Sequence, residues 1–365
     1  MAAPYGDQST KMQVMEEIAR FEGPMPTGVT VSHKGRIFVC FPKWGDAVDF
    51  TVAEMVDGYE RAYPDQTINR PSSDDDQQAL VSVQSVVVDP QDRLWLLDTG
   101  SPQFAPTSFG GPKLVGVDLT KNQVFQTILF PRDVALPTTY LNDIRFDLRR
   151  GDRGMAFITD SSDQGPNAII VVDLATGASW RRLHDHPSTK AEQGFQATVD
   201  GQQLMVREPG QPPKPLTMGA DGIAIGAGGS RLYYCPLAAR RLYSVDVDAL
   251  VNRDIPDDQV AATVVDEGEK PPSDGLESDA DGCIYVTDYE HNAVHRRHQD
   301  GHYELLAQDA GIPWPDTLSL AGDGYLYLTA NQLQRQAKYQ NGQDQRTLPY
   351  RLFRVRVDAK PVRLT

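Results

Sequence analysis

Short apolar runs with alternating polar partners fill this chain, and one arrangement of them returns six times. In YLNDIRFDLRRGDRGMAFITDSS (140–162) the polar Asn142 opens a run that places Ile144 and Phe146 on one face. A charged turn follows, and then a second apolar run from Met155 to Ile158. Period-two alternation of this length, bounded by Gly and Asp, predicts a β-hairpin. The same shape begins at Thr27, Gln84, Asp221, Asp274 and Asp316, so the openers recur at intervals of 42 to 79 residues. Sheet repeats of about 40 to 50 residues are the signature of propeller blades, and four short strands with their turns fill such a length. The pattern therefore predicts an all-β, six-bladed propeller with its core between the blades.

Closure of the ring follows from the ends of the chain. Met12 to Phe21 carries apolar residues at both helical and strand spacing, and a propeller completes its last blade by borrowing a strand from the other terminus. Part of 12–21 is expected to join the strand at Tyr350–Val357. Residues 1–11 read as a flexible arm, and 12–365 as a single propeller domain. The acidic PSSDDDQQAL (71–80) reads as a solvated loop. An insertion around 187–220, long for a blade connection, is a candidate lid over one end of the channel.

Charge narrows the partners. With 35 basic and 50 acidic residues the chain carries a formal charge of −15, which disfavours nucleic acid and anionic membranes. Three cysteines, Cys40, Cys235 and Cys283, fall in or just after returning strands and read as small apolar residues rather than a disulfide framework. The N-terminal MAAPYGDQSTKMQVMEE has no apolar leader core and no stretch approaches a membrane span, so a cytoplasmic location is expected.

In a propeller the starts of the innermost strands face one mouth of the channel, here Thr27, Gln84, Asn142, Asp221, Asp274 and Asp316. Three carboxylates that close raise one another's pKa or hold a cation, and carboxylate with amide oxygen suits Ca²⁺ or Mg²⁺. The competing account is that Asp-Gly at a strand start is ordinary turn chemistry. Other motifs carry less. Asp98-Thr99-Gly100-Ser101 mimics an aspartic-protease loop but has no second copy. His291, His295, His298 and His302 have helical metal-stripe spacing, yet Asp300-Gly301 marks a hairpin turn that breaks it. Asp279-Ala-Asp281-Gly282 and the GAGGS run at 226–230 read as turns.

Several of these stretches, QSVVVDPQDRLWLLDTG (84–100), YLNDIRFD with AFITDSS, VVDLATGASWRRL, DGIAIGAGGSRLYYCPL and PWPDTLSLAGDGYLYLTANQL, together with FVCFPKW (38–44), resemble the Yellow/major royal jelly protein family from about Pro26 to Gln334. The resemblance implies a six-bladed propeller, with functions that range from isomerisation in melanin chemistry to amine binding and nutrition. More distantly the chain is similar to the gluconolactonase/regucalcin group, whose divalent metal is held by Glu, Asn and Asp at inner-strand starts. That similarity implies Asn142, Asp221 and Asp274 as metal ligands and Asp274 also as general base. It makes Glu22, in Glu22-Gly23-Pro24, a counterpart of the group's first-blade Glu. In a hydrolase of this kind Asp316 and Gln84 would stand behind the ligands or touch substrate, and Trp314 and Trp44 are candidate aromatic walls for it.

The resulting expectation is a metal-assisted, lactonase-like hydrolase of a small molecule, using Ca²⁺ or Mg²⁺. The alternative is a Yellow-like binding protein or isomerase for aromatic amines or catechol-derived molecules, in which the three Asp side chains pair with an ammonium group. A propeller serving only as an interaction platform is the third possibility.

Overall fold

The computed structural model describes residues 12–69 and 77–365. The arm expected at 1–11 and most of the acidic loop at 71–80 lie outside the described residues. Six four-stranded antiparallel sheets follow one another along the chain. Blade 1 comprises Val29–Val31, Ile37–Cys40, Val52–Val56 and Tyr59–Ala62, and blade 2 spans Val83–Val88 to Gln123–Leu129. Blade 3 runs from Leu141–Asp147 to Ser179–Arg182, blade 4 from Ala220–Ile225 to Val265–Glu269, and blade 5 from Leu276–Ser278 to Tyr303–Gln308. Blade 6 takes three strands, Pro315–Leu320, Tyr325–Ala330 and Tyr350–Arg356, from the C-terminal part.

Its fourth, outermost strand is Met15–Phe21, paired antiparallel with Tyr350–Arg356 so that Phe21 faces Tyr350. This is the closure expected from the ends of the chain. Phe21 is fully buried and meets the Phe41 ring edge-on at 5.5 Å, which ties the borrowed strand to blade 1 as well.

Cores lie between blades, as period-two strands with both faces covered require. Trp95, Leu97 and Leu114 of blade 2 pack on Ile144, Phe146 and Ile158 of blade 3. Phe157, Ile169 and Val171 of blade 3 pack on Ile223, Leu232 and Tyr234 of blade 4. The first strands of successive blades touch in a closed ring around the channel.

Their starts are held by a recurring device on the second strand. Cys40 donates its thiol to Gln84 O (3.1 Å), Thr159 its hydroxyl to Asp221 O (2.6 Å), and Thr329 its hydroxyl to Thr27 O. In each case a small polar side chain of one blade grips the opener of the next. Cys40 and Cys235 are buried as expected, whereas Cys283 is only partly covered.

Two short helices, Val247–Val251 and Asp257–Ala261, pack on blade 4. The insertion folds into two small hairpins, Thr198–Val199 with Gln202–Gln203 and Met205–Val206 with Lys214–Pro215. The C-terminal residues cross the opposite face. Lys360 reaches Gly322 O, Pro361 bridges to Asp279, and Leu364 O accepts from Leu148 N, so the tail straps blades 6, 5 and 3 together.

Truncating Phe21→Ala removes the closure ring from a fully packed site and is expected to cost about 3–5 kcal/mol in denaturant unfolding. A loss below about 1 kcal/mol would show that the borrowed strand does not latch the ring.

Candidate functional site

All six openers are buried and sit at the same mouth, called upper here. Irregular register at the start of the first strand in blades 2, 3, 4 and 6 accompanies their placement, since a bulge re-aims a side chain.

The glycines that follow Asp221 and Asp274 have a specific cause. A Cβ on Gly222 would lie 2.4 Å from Asp274 O, and one on Gly275 would lie 2.2 Å from Asp316 O. Neither has positive φ. Asp-Gly here is therefore a close-approach device between inner strands and not turn chemistry.

The consequence is a cluster of carboxyls. Asp274 is within hydrogen-bonding reach of both Asp221 and Asp316. Trp314 Nε1 donates to Asp274 Oδ2 at 2.6 Å, and Asn142 Nδ2 donates to Asp221 Oδ1 at 2.6 Å. Asn331 Nδ2 donates to Asp316 Oδ2, and Thr317 Oγ1 lies 3.3 Å from Asp316 Oδ1.

Burial pushes Asp221 and Asp316 well above the usual carboxylate range, and repulsion from Asp274 adds to it. Asp274 is also raised by burial, but hydrogen bonds from Trp314, Asp221 and Asp316 pull it back. All three carboxyls are therefore held above the usual range, and Asp274 is the one on which the neighbouring donors oppose the rise most.

Aromatic rings cover this cluster. Tyr289 stacks on Trp314 at 4.2 Å with the ring planes parallel, and its hydroxyl donates to Leu237 O (2.7 Å). Val199, Leu204, Leu216 and Met218 of the insertion pack in the same apolar cluster as Trp314 and Tyr289. Gln84 joins from the side, because Tyr140 donates its hydroxyl to Gln84 Oε1 (3.0 Å) and accepts from Trp44 Nε1 (2.7 Å). Trp44 and Tyr140 sandwich Phe104, at 5.6 and 4.5 Å.

Of the residues singled out from sequence, Asn142, Asp221, Asp274, Asp316 and Trp314 come together and Gln84 lies at their side. Thr27 spends its hydroxyl on Gln84 O (2.9 Å). Glu22 is exposed, just past the outer strand of blade 6, outside the channel layer. Five residues separate it from the inner-strand start, too long a step for its side chain to turn inward.

Beneath the carboxyls lies a second layer that sequence reasoning did not single out. Ser85 Oγ donates to Asp143 Oδ1 (2.8 Å), and Arg145 Nη1 to Asp143 Oδ2 (2.9 Å). Arg145 Nη2 reaches across the channel to Leu276 O of blade 5 (2.7 Å) and lies 3.9 Å from Glu277. The signal was present in NDIRFD, since a charged side chain on an inner strand with both faces covered has only the channel to enter.

The remaining motifs resolve into structure. Asp98 accepts from the Val81 and Ser82 amides and pairs with buried Lys113 at 3.0 Å. His291 and His295 both meet Asp288, while His298 stacks on His302, so no four-histidine stripe forms. Asp279 caps its own turn through the amides of Asp281 and Cys283. No helix among the described residues is long and apolar enough to cross a membrane.

Fold and site define a six-bladed β-propeller with a covered, acidic channel mouth. The family model for major royal jelly protein matches residues 81–362, and the chain belongs to that family. Among relatives, major royal jelly protein 7 of Apis mellifera is 26% identical over 186 residues, covering 50% of this chain and 38% of the relative. The chain thus spans well under half of that protein. Among solved structures, the calcium-binding protein regucalcin of Agrobacterium tumefaciens superposes with a TM-score of 0.55 at 15% identity, covering 94% of this chain and 95% of the other. A gluconolactonase of Xanthomonas campestris gives 0.55 at 11% identity over 94% and 89%. At such identities the likeness is one of fold.

The raised carboxyls make a stability prediction. Over the interval between the unfolded and folded pKa values the native state binds more protons than the unfolded chain. The protonated pair's stabilisation is therefore complete below about pH 4 and is lost as pH rises through the raised folded values. Asp316→Asn keeps the shape and cannot ionise. In chelator-containing buffer its melting temperature is expected to match wild type near pH 4 and to exceed it increasingly toward about pH 8. A difference independent of pH would contradict a protonated Asp316.

Proposed function

We propose that the chain is a small-molecule hydrolase that opens a lactone at the upper mouth, with Asp274 as general base. The observation that carries this reading is the asymmetric carboxyl cluster: one group that accepts from an indole N–H and is pulled back toward ionisation, flanked by two that are pushed further up. Environments that push neighbouring carboxyls apart in pKa assign base and acid roles.

In the proposed sequence Asp274 takes a proton from an attacking water as the oxygen adds to the ester carbonyl. The ring C–O bond then breaks, and the departing alkoxide takes a proton from Asp316 or Asp221. Trp314 orients the base, while Gln84 and Asn142 offer amide groups to the substrate's oxygens. The Tyr289–Trp314 stack and the hairpins of the insertion keep bulk water from the buried base.

The donor set is made of oxygens alone, which fits a hard divalent cation. No group of three His, Cys, Asp or Glu side chains among the described residues forms a cage by itself, so Ca²⁺ or Mg²⁺ would rest on the oxygens of Asn142, Asp221 and Asp274. Bound there, it would polarise the substrate carbonyl. Its binding would displace the shared protons and strengthen with pH.

A second reading has its own observation. Stacked rings beside a carboxyl cluster suit an aromatic amine, whose ammonium would sit at Asp274 and whose ring would meet Tyr289 or the Trp44–Phe104–Tyr140 stack. It makes the protein a carrier or an isomerase for such molecules.

Asp274→Asn and Trp314→Phe separate the readings. Hydrolysis of lactones by protein supplied with Ca²⁺ or Mg²⁺ is expected to fall by about 10²–10⁴-fold in Asp274→Asn. Trp314→Phe is expected to lower kcat and move the acidic limb of the pH profile upward, because the base loses a donor and its pKa rises. Full activity in Asp274→Asn would sink the hydrolase mechanism. Absence of lactone turnover by wild type, with saturable binding of an aromatic amine lost in Asp274→Asn, would establish the second reading.

A further inference from the structure

The three carboxyls are buried, so whatever reaches them passes a cover that has to give way. That cover is built from two segments on the side of blades 4 to 6. The insertion is tied to blades 4 and 5, where Glu192 N donates to Ala238 O (2.8 Å) and Thr198 N to Glu290 Oε1 (2.7 Å). The loop leaving Tyr325–Ala330 of blade 6 turns twice, at Leu333–Arg335 and Ala337–Tyr339. It joins the insertion through Arg335 Nε to Asp200 Oδ2 (2.8 Å) and Arg207 N to Lys338 O (2.8 Å). Together the two segments form one roof.

Across the mouth the roof meets blades 2 and 3. Lys338 Nζ lies 3.2 Å from Asp163 Oδ2, just past the second strand of blade 3, and 5.1 Å from the centre of the Phe104 ring on the blade 2 loop. Thr217 donates its hydroxyl to Asp163 O (2.7 Å). Blades 3 and 6 are opposite members of a ring of six, so the Lys338–Asp163 pair spans the mouth. The two side chains are 30% and 28% exposed. An ion pair so placed contributes little to stability and is screened by salt.

Phe104 supplies a second observation. Gln103 and Phe104 both hold positive φ, 52° and 58°, a conformation that a bulky side chain resists. The surroundings keep it there: Gln103 N donates to Lys43 O (2.8 Å), Ser101 Oγ donates to Ala105 O (2.6 Å), and the ring is held between Trp44 and Tyr140. Beside it lies a cleft of about 50 Å³, with Pro106, Tyr140, Asp163 and Gln164 in its wall. Backbone strain opposed by stacking and by a nearby cation marks a segment poised between two arrangements.

We propose that the roof is a hinged lid latched by Lys338 to Asp163, and that small molecules reach the carboxyl cluster past Phe104 when the latch opens. The proposal rests on the upper cluster being the ligand site and adds how that site is entered. With the latch closed Trp314 is sealed, because Leu333 and Tyr339 of the blade 6 loop and Leu204, Leu216 and Met218 of the insertion pack in its apolar cluster. Opening exposes it.

Acrylamide, a small neutral quencher, reads that opening through the tryptophan fluorescence of the full chain. The Trp314 contribution is the difference between each protein and its Trp314→Phe counterpart. In wild type this contribution is expected to be quenched weakly at low salt and about twofold or more strongly in about 1 M NaCl, where ion pairs are screened. Lys338→Gln and Asp163→Asn are expected to show the stronger quenching already at low salt, and the exchanged pair, Asp163→Lys with Lys338→Asp, to restore the wild-type value. Equal quenching in wild type and both single variants, or a rise that persists when residue 314 is Phe, would overturn the latch. Should a variant fail to fold, the wild-type salt series decides, since salt-independent quenching of Trp314 overturns it too. The measurement needs no turnover, so failure of the hydrolase reading leaves its result standing, and an unlatched roof leaves the hydrolase reading as it was.

Discussion

Everything at the upper mouth depends on how closely the inner strands approach one another. Gly222 and Gly275 allow the backbone of the next blade to come within a distance that any Cβ would obstruct, and the openers are consequently packed side by side. Carboxyls forced together in a buried place cannot all ionise. The chemistry of the site is thus a consequence of ring closure: a propeller with these strands at these distances must share protons among Asp221, Asp274 and Asp316 or take up a cation.

The same constraint makes the three carboxyls unequal. Asp274 stands in the middle and receives an indole N–H that is itself fixed by the Tyr289 stack and the insertion's apolar side chains. Asp221 and Asp316 each accept from an Asn amide, but burial and repulsion from Asp274 outweigh that donation. Position and donors, not residue type, distinguish three identical side chains. A hydrolase and an amine carrier would both use that asymmetry, the first as a base beside acids, the second as a counter-ion.

The repeat was legible in the sequence because period-two alternation and Gly/Asp turns are local signals, and six copies leave few architectures open. The opener positions were legible for the same reason, and closure by Met15–Phe21 followed from the need to remove an edge. What escaped was set by contacts across the ring. Asp143, Arg145 and Glu277 lie on three inner-strand positions whose partners are up to 131 residues away, and no local window pairs them. Turn chemistry stayed open as an account of Gly222, since its obstacle belongs to another blade. Glu22 was placed by motif likeness, and the chain's path from the outer strand of blade 6 to the inner strand of blade 1 leaves it exposed.

Arg145 couples blades across the ring. Its guanidinium spans from blade 3 to the blade 5 backbone. Held by Asp143 on one side and by Leu276 O on the other, it links the two inner strands whose openers are Asn142 and Asp274. A buried charge satisfied from two blades at once resists their separation, because pulling either blade away would leave a guanidinium without its partners. The layer that local sequence windows miss is therefore also one that helps to hold the openers side by side.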